Sequence, residues 1–457
     1  MEKQNIIANL NKHFGLDPAS SKILVVGLGS TGMSVAQYLL QLDFKFAIID
    51  SRAKPPLMDE FMEQMPDTPI FTGGFDDHAF KVATHLVVSP GLSLHEKVII
   101  KAVANGSKIV SDIDLFACSV TEPIVAITGS NGKSTVTTMV GDMAKVAGRR
   151  VSVGGNLGVP ALDLLDQKAD LYVLELSSFQ LERTSMLNAA AATVLNVTAD
   201  HLDRHADMAQ YAREKQQVFR GNGVMVINLD DPTVVAMKES DRETLTFSIK
   251  TAADYHLKSI DGNEYLMRDD LALMPLQALP LEGRHNAANA LAALALGTAI
   301  GLDDDSMCRA LKKFKGLEHR MQRVAEIRGV NWINDSKATN IGACVAALDG
   351  YERKVILIAG GDAKGADMNE LAPTIIEKAK SVVLMGKDGA LIMQALENCN
   401  VPLYLASNIN EAVQISARLA VSGDSVLLSP ACASTDQFKN YQDRGNKFTK
   451  AVLALAS

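Results

Sequence analysis

Short apolar runs recur from one end of the chain to the other, at 23–26, 46–49, 86–88, 124–128, 171–174, 193–197, 224–227, 355–358, 381–385 and 425–428. Most are continuous stretches of Val, Ile, Leu and Ala rather than alternations with polar residues. That pattern predicts strands buried on both faces. Between them lie segments whose apolar positions return every three or four residues, so helices alternate with strands and the expected class is α/β with parallel sheets. The longest apolar stretch, 287–302, is interrupted by Asn289, Gly297 and Thr298 and is short for a bilayer, so it is expected to be a packed core helix.

Two of the runs end in glycine-rich turns, Gly27-Leu28-Gly29-Ser30-Thr31-Gly32 and Gly129-Ser130-Asn131-Gly132-Lys133-Ser134. Each is expected to open its own nucleotide-type domain. A third strand series is expected after Arg328, with Gly360-Gly361-Asp362-Ala363-Lys364-Gly365 inside it. The spacing divides the chain into 1–112, 113–316 and 317–457, and 457 residues suit two to three domains.

Composition narrows the setting. Apolar residues at 47% and charged residues at 21% describe an ordinary folded protein, and a net charge of −8 without a local basic patch argues against a nucleic-acid partner. The cysteines Cys118, Cys308, Cys344, Cys399 and Cys432 are scattered and odd in number, which fits neither a disulfide framework nor a zinc cluster. Residues 1–16 show no basic segment followed by an apolar block. The expectation is a cytoplasmic protein without membrane insertion.

The first turn is a complete G-x-G-x-x-G between a strand and a helical period, with Asp50 ending the next strand. Its glycines let backbone N–H groups approach a diphosphate at a helix N-terminus. A nicotinamide or flavin dinucleotide and another diphosphate-bearing ligand both remain open on that motif alone. The second turn carries Gly132-Lys133-Ser134, the lysine and hydroxyl that a P-loop offers to phosphates and Mg²⁺. It is a shortened variant, because the usual first glycine position holds Ile127 and Gly129 stands only three residues before Gly132. ATP or GTP is the expected ligand.

Two ionisable residues stand where packing would not place them. Glu175 ends an apolar strand, where an unpaired carboxylate is costly, and is a candidate Mg²⁺ ligand. Lys215 shares an apolar stripe with Met208, Tyr211, Val218 and Phe219; periodicity alone favours a lysine that snorkels to water. The segment 198–205, with Asp200 and His201, is dense in metal-capable groups but lacks a zinc spacing. His319, Arg320, Asp335, Lys337, Thr339 and Lys364 supply groups suited to anionic substrates, each with surface pairing as the plain alternative.

Taken together, 129–135, Gly154-Gly155-Asn156-Leu157-Gly158, Leu174-Glu175-Leu176-Ser177-Ser178-Phe179-Gln180-Leu181-Glu182, 195–205, 334–340 and 429–438 resemble the Mur ligases of peptidoglycan synthesis, in order and over nearly the whole chain. The resemblance implies a Rossmann-like N-terminal domain for a UDP moiety, a central ATPase domain and a Rossmann-like C-terminal domain. It implies UDP contacts at Thr31, Asp50, Ser51 and Arg52, with Asn156 on the UDP-sugar. It implies ATP at Ser130, Asn131, Gly132, Lys133, Ser134, Thr135, Asn286, Arg320 and Asp335, and Mg²⁺, two ions, at Ser134, Glu175 and His201. Lys215 matches the family's carbamate-bearing lysine, which reverses the snorkelling expectation and adds an anion at the metal. Lys337, Thr339, Lys364, Ser434 and Tyr441 match the site for the incoming amino acid and the transferred phosphoryl group; the family commonly has Phe where this chain has Tyr441.

The implied reaction joins D-glutamate to UDP-N-acetylmuramoyl-L-alanine through an acyl phosphate, on a monomer serving cell-wall synthesis and so cell shape and division. Lys133, His201, Lys215 and Lys337 are the expected catalytic residues, with His201 or a neighbouring carboxylate taking the amine proton. The third domain is expected to close about a hinge near Gly316. Alternatives from other classes are a nicotinamide-dependent oxidoreductase, a related amino-acid-adding ligase such as folylpolyglutamate synthase, and a non-enzymatic nucleotide-gated module.

Overall fold

Every residue of Ile23–Val26 is buried, because helices cover both faces of the sheet that it centres. The computed structural model describes residues 1–200, 204–281 and 283–456. In the first domain β1 (Ile23–Val26), β2 (Phe46–Asp50), β3 (Ile70–Thr72), β4 (His85–Val88) and β5 (Lys108–Ile109) form a parallel sheet of order β3-β2-β1-β4-β5. The chain leaves β1 for β2 on one side and reaches β4 on the other. That reversal opens a crevice at the carboxyl ends of β1 and β4, where doubly wound sheets take ligands. The turn 27–32 sits at its floor, and a Cβ at Gly32 would overlap the Gly27 carbonyl oxygen, so the helix Ser30–Gln41 starts hard against the strand.

The central sheet runs β14-β13-β12-β11-β10-β9-β6-β8-β7. Its parallel part is β6 (Ile124–Thr128), β7 (Val151–Gly155), β8 (Leu171–Glu175), β9 (Ala191–Val194), β10 (Val224–Asn228) and β11 (Thr244–Ser248), extended by β12 (Tyr255–Ile260). β13 (Asn263–Arg268) and β14 (Leu271–Pro275) then add antiparallel. The parallel centre is as expected, and the antiparallel strands are confined to this edge of the sheet. These edge strands are short and follow Asp-Gly and Asp-Asp turns, and no strand is expected there from the sequence. β9 also ends at Val194 rather than 197, because Asn196 and Thr198 turn to bond the P-loop and Val197 N donates to Asp231. The helix Arg284–Ala299 is buried along most of its length and packs on this sheet, as the apolar stretch predicts.

The third sheet has the order β15-β16-β20-β17-β18-β19. It starts at β15 (Gln322–Ile327), ahead of Arg328, and not after it as expected. β15 and β16 (Val330–Asn334) form a hairpin closed by Arg328 and Gly329, both at positive φ (53° and 74°), the conformation that a two-residue turn between twisted strands requires. β17 (Val355–Gly360), β18 (Ala379–Met385), β19 (Leu403–Leu405) and β20 (Ser425–Leu428) complete the sheet in parallel.

The first and central domains share a core. Ile113, Leu115 and Phe116, on a helix capped at Ser111 with a reciprocal bond to Asp114, pack in one cluster with Ile48 of the first sheet and Leu174 of the second. The five cysteines are free and buried. Among the described residues no helix is long and apolar enough to cross a membrane.

Candidate active site

The turn after β6 is bent by Gly129 (φ 149°) and Gly132 (φ 85°), and a Cβ at Gly132 would overlap the Asn289 side-chain oxygen. The bend aims the start of the helix Lys133–Val146 at a cavity of about 200 Å³. Partners on the neighbouring segment hold it: Asn131 N donates to Asn196 Oδ1 at 2.8 Å and Ser130 Oγ to the Thr198 carbonyl at 3.0 Å. Lys133 Nζ donates back to the Gly129 and Ser130 carbonyls at 2.8 and 3.0 Å. The lysine is thereby folded over the loop that is expected to hold phosphates.

Glu175 ends β8, paired with Ile127 of β6, so adjacent strand ends deliver it and the P-loop together. It is buried; Oε1 accepts from Asn156 Nδ2 at 2.6 Å, and Oε2 has no hydrogen-bond partner among the described residues. Burial pushes its pKa up, but the charge of Lys133, hydrogen bonds from Ser134 and Asn156 and the charge of Arg320 outweigh burial, so the carboxyl is held below its usual range. An ionised, half-satisfied carboxylate beside the Ser134 hydroxyl suits a divalent cation.

Lys215 does not snorkel. It is 1% exposed, its Nζ donates to the Gly129 carbonyl at 2.9 Å and lies 4.3 Å from the centroid of the Tyr211 ring. Burial, then the charge of Lys133, push its pKa far below the ordinary lysine value, against the pull of Asp200 and Glu175. The stripe that suggested an amphipathic surface helix faces the site, and the helix Met208–Gln216 carries the lysine inward.

The third domain completes the cavity. Arg320 Nη2 donates to Ser134 Oγ at 2.9 Å, from a backbone segment with His319 and Met321 at positive φ of 63° and 45°. Lys337 and Thr339 line the same cavity, with Lys337 Nζ 3.9 Å from the Tyr441 ring centroid; burial, then Arg320, lower the Lys337 pKa to about 7. A second cavity of about 280 Å³ adjoins it, lined by Asn131, Gly132, Thr135, Asn286, Arg320 and Asp335. Asp335 accepts from Ser429 Oγ at 2.9 Å and Met321 N at 3.2 Å, and burial raises its pKa to about 7.

Other expected residues lie apart. Asp50 and Arg52 pair in the first-domain crevice, where Asp50 also accepts from Leu28 N at 2.8 Å; Thr31 is half-buried at the helix start and Ser51 is exposed. Asn156, expected on the UDP-sugar, lines the catalytic cavity on Glu175. Lys364 and Ser434 occupy two loops joined by the Asp362–Ala433 bridge. His201 lies outside the described residues. Sequence reasoning missed two participants: Asn340, which bonds Asn131 across the domain junction, and Tyr211, which accepts from Ser130 Oγ at 3.3 Å; Asp200, noted only as a metal-capable group, has its Oδ1 3.5 Å from Lys364 Nζ. Asn340 carried a signal, as a helix cap before an apolar period.

Over 444 residues, 97% of the chain and 96% of its relative, the sequence is 51% identical to the UDP-N-acetylmuramoylalanine--D-glutamate ligase of Methylococcus capsulatus. It matches the Mur ligase MurD-like N-terminal domain at 21–111, the Mur ligase middle domain at 127–297 and the Mur ligase glutamate ligase domain at 319–432. The chain belongs to the Mur ligases. This Mur ligase is also 48% identical to the correspondingly named enzyme of Nitrosococcus oceani, over 95% of the chain and 97% of that protein. Its fold matches a pseudomurein peptide ligase type C from Methanothermus fervidus with a TM-score of 0.63 and 19% identity, over 96% of the chain and 100% of that structure.

Proposed function

We propose that this Mur ligase joins D-glutamate to the terminal carboxylate of UDP-N-acetylmuramoyl-L-alanine with cleavage of ATP to ADP and phosphate. The observation that carries the reading is one cavity where Lys133, Glu175, Lys215, Arg320 and Lys337 converge from two domains. The names of relatives at 46–51% identity support the choice of D-glutamate.

The nucleoside lies in the cavity between Asn286 and Asp335, and its phosphates reach the turn 129–134. Lys133 and Arg320 face the γ-phosphate, where they offset charge as the alanyl carboxylate attacks in line. The bond from the γ-phosphorus to the ADP oxygen breaks, leaving an acyl phosphate. The D-glutamate amine attacks its carbonyl carbon, His201 or a neighbouring carboxylate takes the amine proton, the C–O bond to phosphate breaks, and the amide forms. Thr339, Lys364, Ser434 and Tyr441 orient the amino acid, and Asn156 holds Glu175 and the acceptor. Ser134, Glu175 and His201 would hold Mg²⁺, two ions, which lower the repulsion between the gathered anions when bound.

Lys215 fits carbamylation because burial favours its neutral amine: its nitrogen adds to the carbon of CO₂, releases a proton to water and becomes an anion in the cavity that Glu175 also lines. Thr31, Asp50, Ser51 and Arg52 hold the UDP end, and the domains divide near 112 and 316. The enzyme acts in the cytoplasm as a monomer, which light scattering after gel filtration tests. The deciding experiment is phosphate release with ATP, Mg²⁺ and UDP-N-acetylmuramoyl-L-alanine. D-glutamate should support turnover; release only with L-glutamate or diaminopimelate would reject the substrate.

A further inference from the structure

Arg183 follows the short helix Ser178–Leu181, whose first residues line the catalytic cavity, yet its guanidinium ends on the first domain. Nη1 donates to the Val88 and Ser89 carbonyls, both at 2.9 Å, and Nη2 to the Leu92 carbonyl at 3.2 Å. Arg204 Nη1 takes the Gly91 carbonyl at 3.1 Å. Four carbonyls of the loop 88–92 are therefore gripped by two arginines of the central domain.

That loop walls the crevice. Ser89 N donates to the Val26 carbonyl at 2.9 Å, and a Cβ on Gly27 would touch Ser89 Cβ at 3.0 Å. Arg183 thus joins the wall of one site to the floor of the other through a single buried side chain. Its charge is compensated locally. Glu182 Oε2 lies 3.1 Å from Nη2, and Asp112, on the helix at the domain junction, is attracted to it while accepting from Gln180 Nε2 at 3.2 Å. Asp112 Oδ1 and Arg183 Nε are both buried without a hydrogen-bond partner among the described residues. A cluster that tolerates two unsatisfied groups points to a constraint other than packing.

We propose that Arg183 is a positioning residue that fixes the span between the crevice and the phosphoryl-transfer cavity, so that an acceptor anchored by its UDP end presents its carboxylate to Lys133. The inference rests on the crevice being the UDP site. A planar guanidinium grips carbonyls from two nitrogens held in a rigid fork where an ammonium donates from one atom, and misplacement by about 1 Å is enough to cost roughly 100-fold in rate.

UDP alone needs only the crevice, whereas the full acceptor must satisfy both sites. In Arg183→Met, kcat/KM for UDP-N-acetylmuramoyl-L-alanine should fall about 10- to 100-fold. UDP affinity by calorimetry and the KM values for ATP and D-glutamate should stay within about threefold, and Arg183→Lys should recover part of the loss. If Arg183→Met misfolds, the Asp112→Asn/Arg183→Met double variant, which removes the stranded acid, takes the same measurements. Normal kcat/KM for the acceptor, or UDP affinity lost in the same proportion, overturns the proposal. An Asp50→Asn variant that binds UDP like the wild type removes the crevice reading and the span inference together. Normal acceptor turnover in Arg183→Met, with UDP lost in Asp50→Asn, removes the span inference alone.

Discussion

Lys215 and Asp335 are both titratable groups whose burial decides their chemistry. At Lys215 the neutral amine is favoured, and Lys215→Ala is expected to reduce turnover by at least about 100-fold. Short carboxylic acids should restore part of it by placing an anion where the carbamate would stand, as read by phosphate release against added acetate or formate. At Asp335 the folded pKa of about 7 exceeds an ordinary aspartate's. The folded state then binds more protons than the unfolded chain between about pH 4 and 7, so this group's contribution to stability is lost as pH rises through that window. Asp335→Asn removes the dependence. Relative to wild type, its Tm should rise between pH 5 and pH 8, while its KM for ATP increases. Lys215 was visible in the sequence as a polar group on an apolar stripe, and Asp335 only as one of several polar residues in 334–340. Their direction was not: a stripe of period 3.6 is the same whether it faces solvent or a site, and only the position of the P-loop turns Lys215 inward.

The elements that carry the site were legible because each ends in a turn with a steric demand. Gly32 illustrates it. An alanine there collides with the Gly27 carbonyl and must push the helix Ser30–Gln41 off β1. Gly32→Ala should destabilise the fold by about 1–3 kcal/mol in denaturant titration. It should also raise the KM for the UDP-linked acceptor at least about tenfold, with the KM for ATP within about twofold; equal damage to both would show that the crevice is not independent. The hairpins Tyr255–Ile260/Asn263–Arg268 and Gln322–Ile327/Val330–Asn334 escaped sequence reading for a physical reason. Their strands are short and mix apolar with polar positions at no steady period, so they carry little periodic signal.

The third domain meets the central one through a short set of polar contacts among the described residues. Asn131–Asn340, Asn340–Asp200, Lys364–Asp200 and Arg320–Ser134 span the junction, beside the cavity lined by Asn286 and Asp335. Contacts so sparse fit a domain that swings about the residues near Gly316. Asn340→Ala is expected to speed tryptic cleavage at exposed Lys315, with ATP and acceptor together restoring protection; unchanged cleavage would argue against such motion. A net charge of −8 gave no hint of this site, since a handful of cations in one cavity outweighs the overall field only locally. The buried, unpaired cysteines have a practical corollary. Cys308 lies in the central core, Cys344, Cys399 and Cys432 in the third domain, and Cys118 beside the junction of the first two. The native chain therefore carries internal clocks: the order in which these thiols become alkylated during a timed pulse reports which domain opens first, with no label introduced.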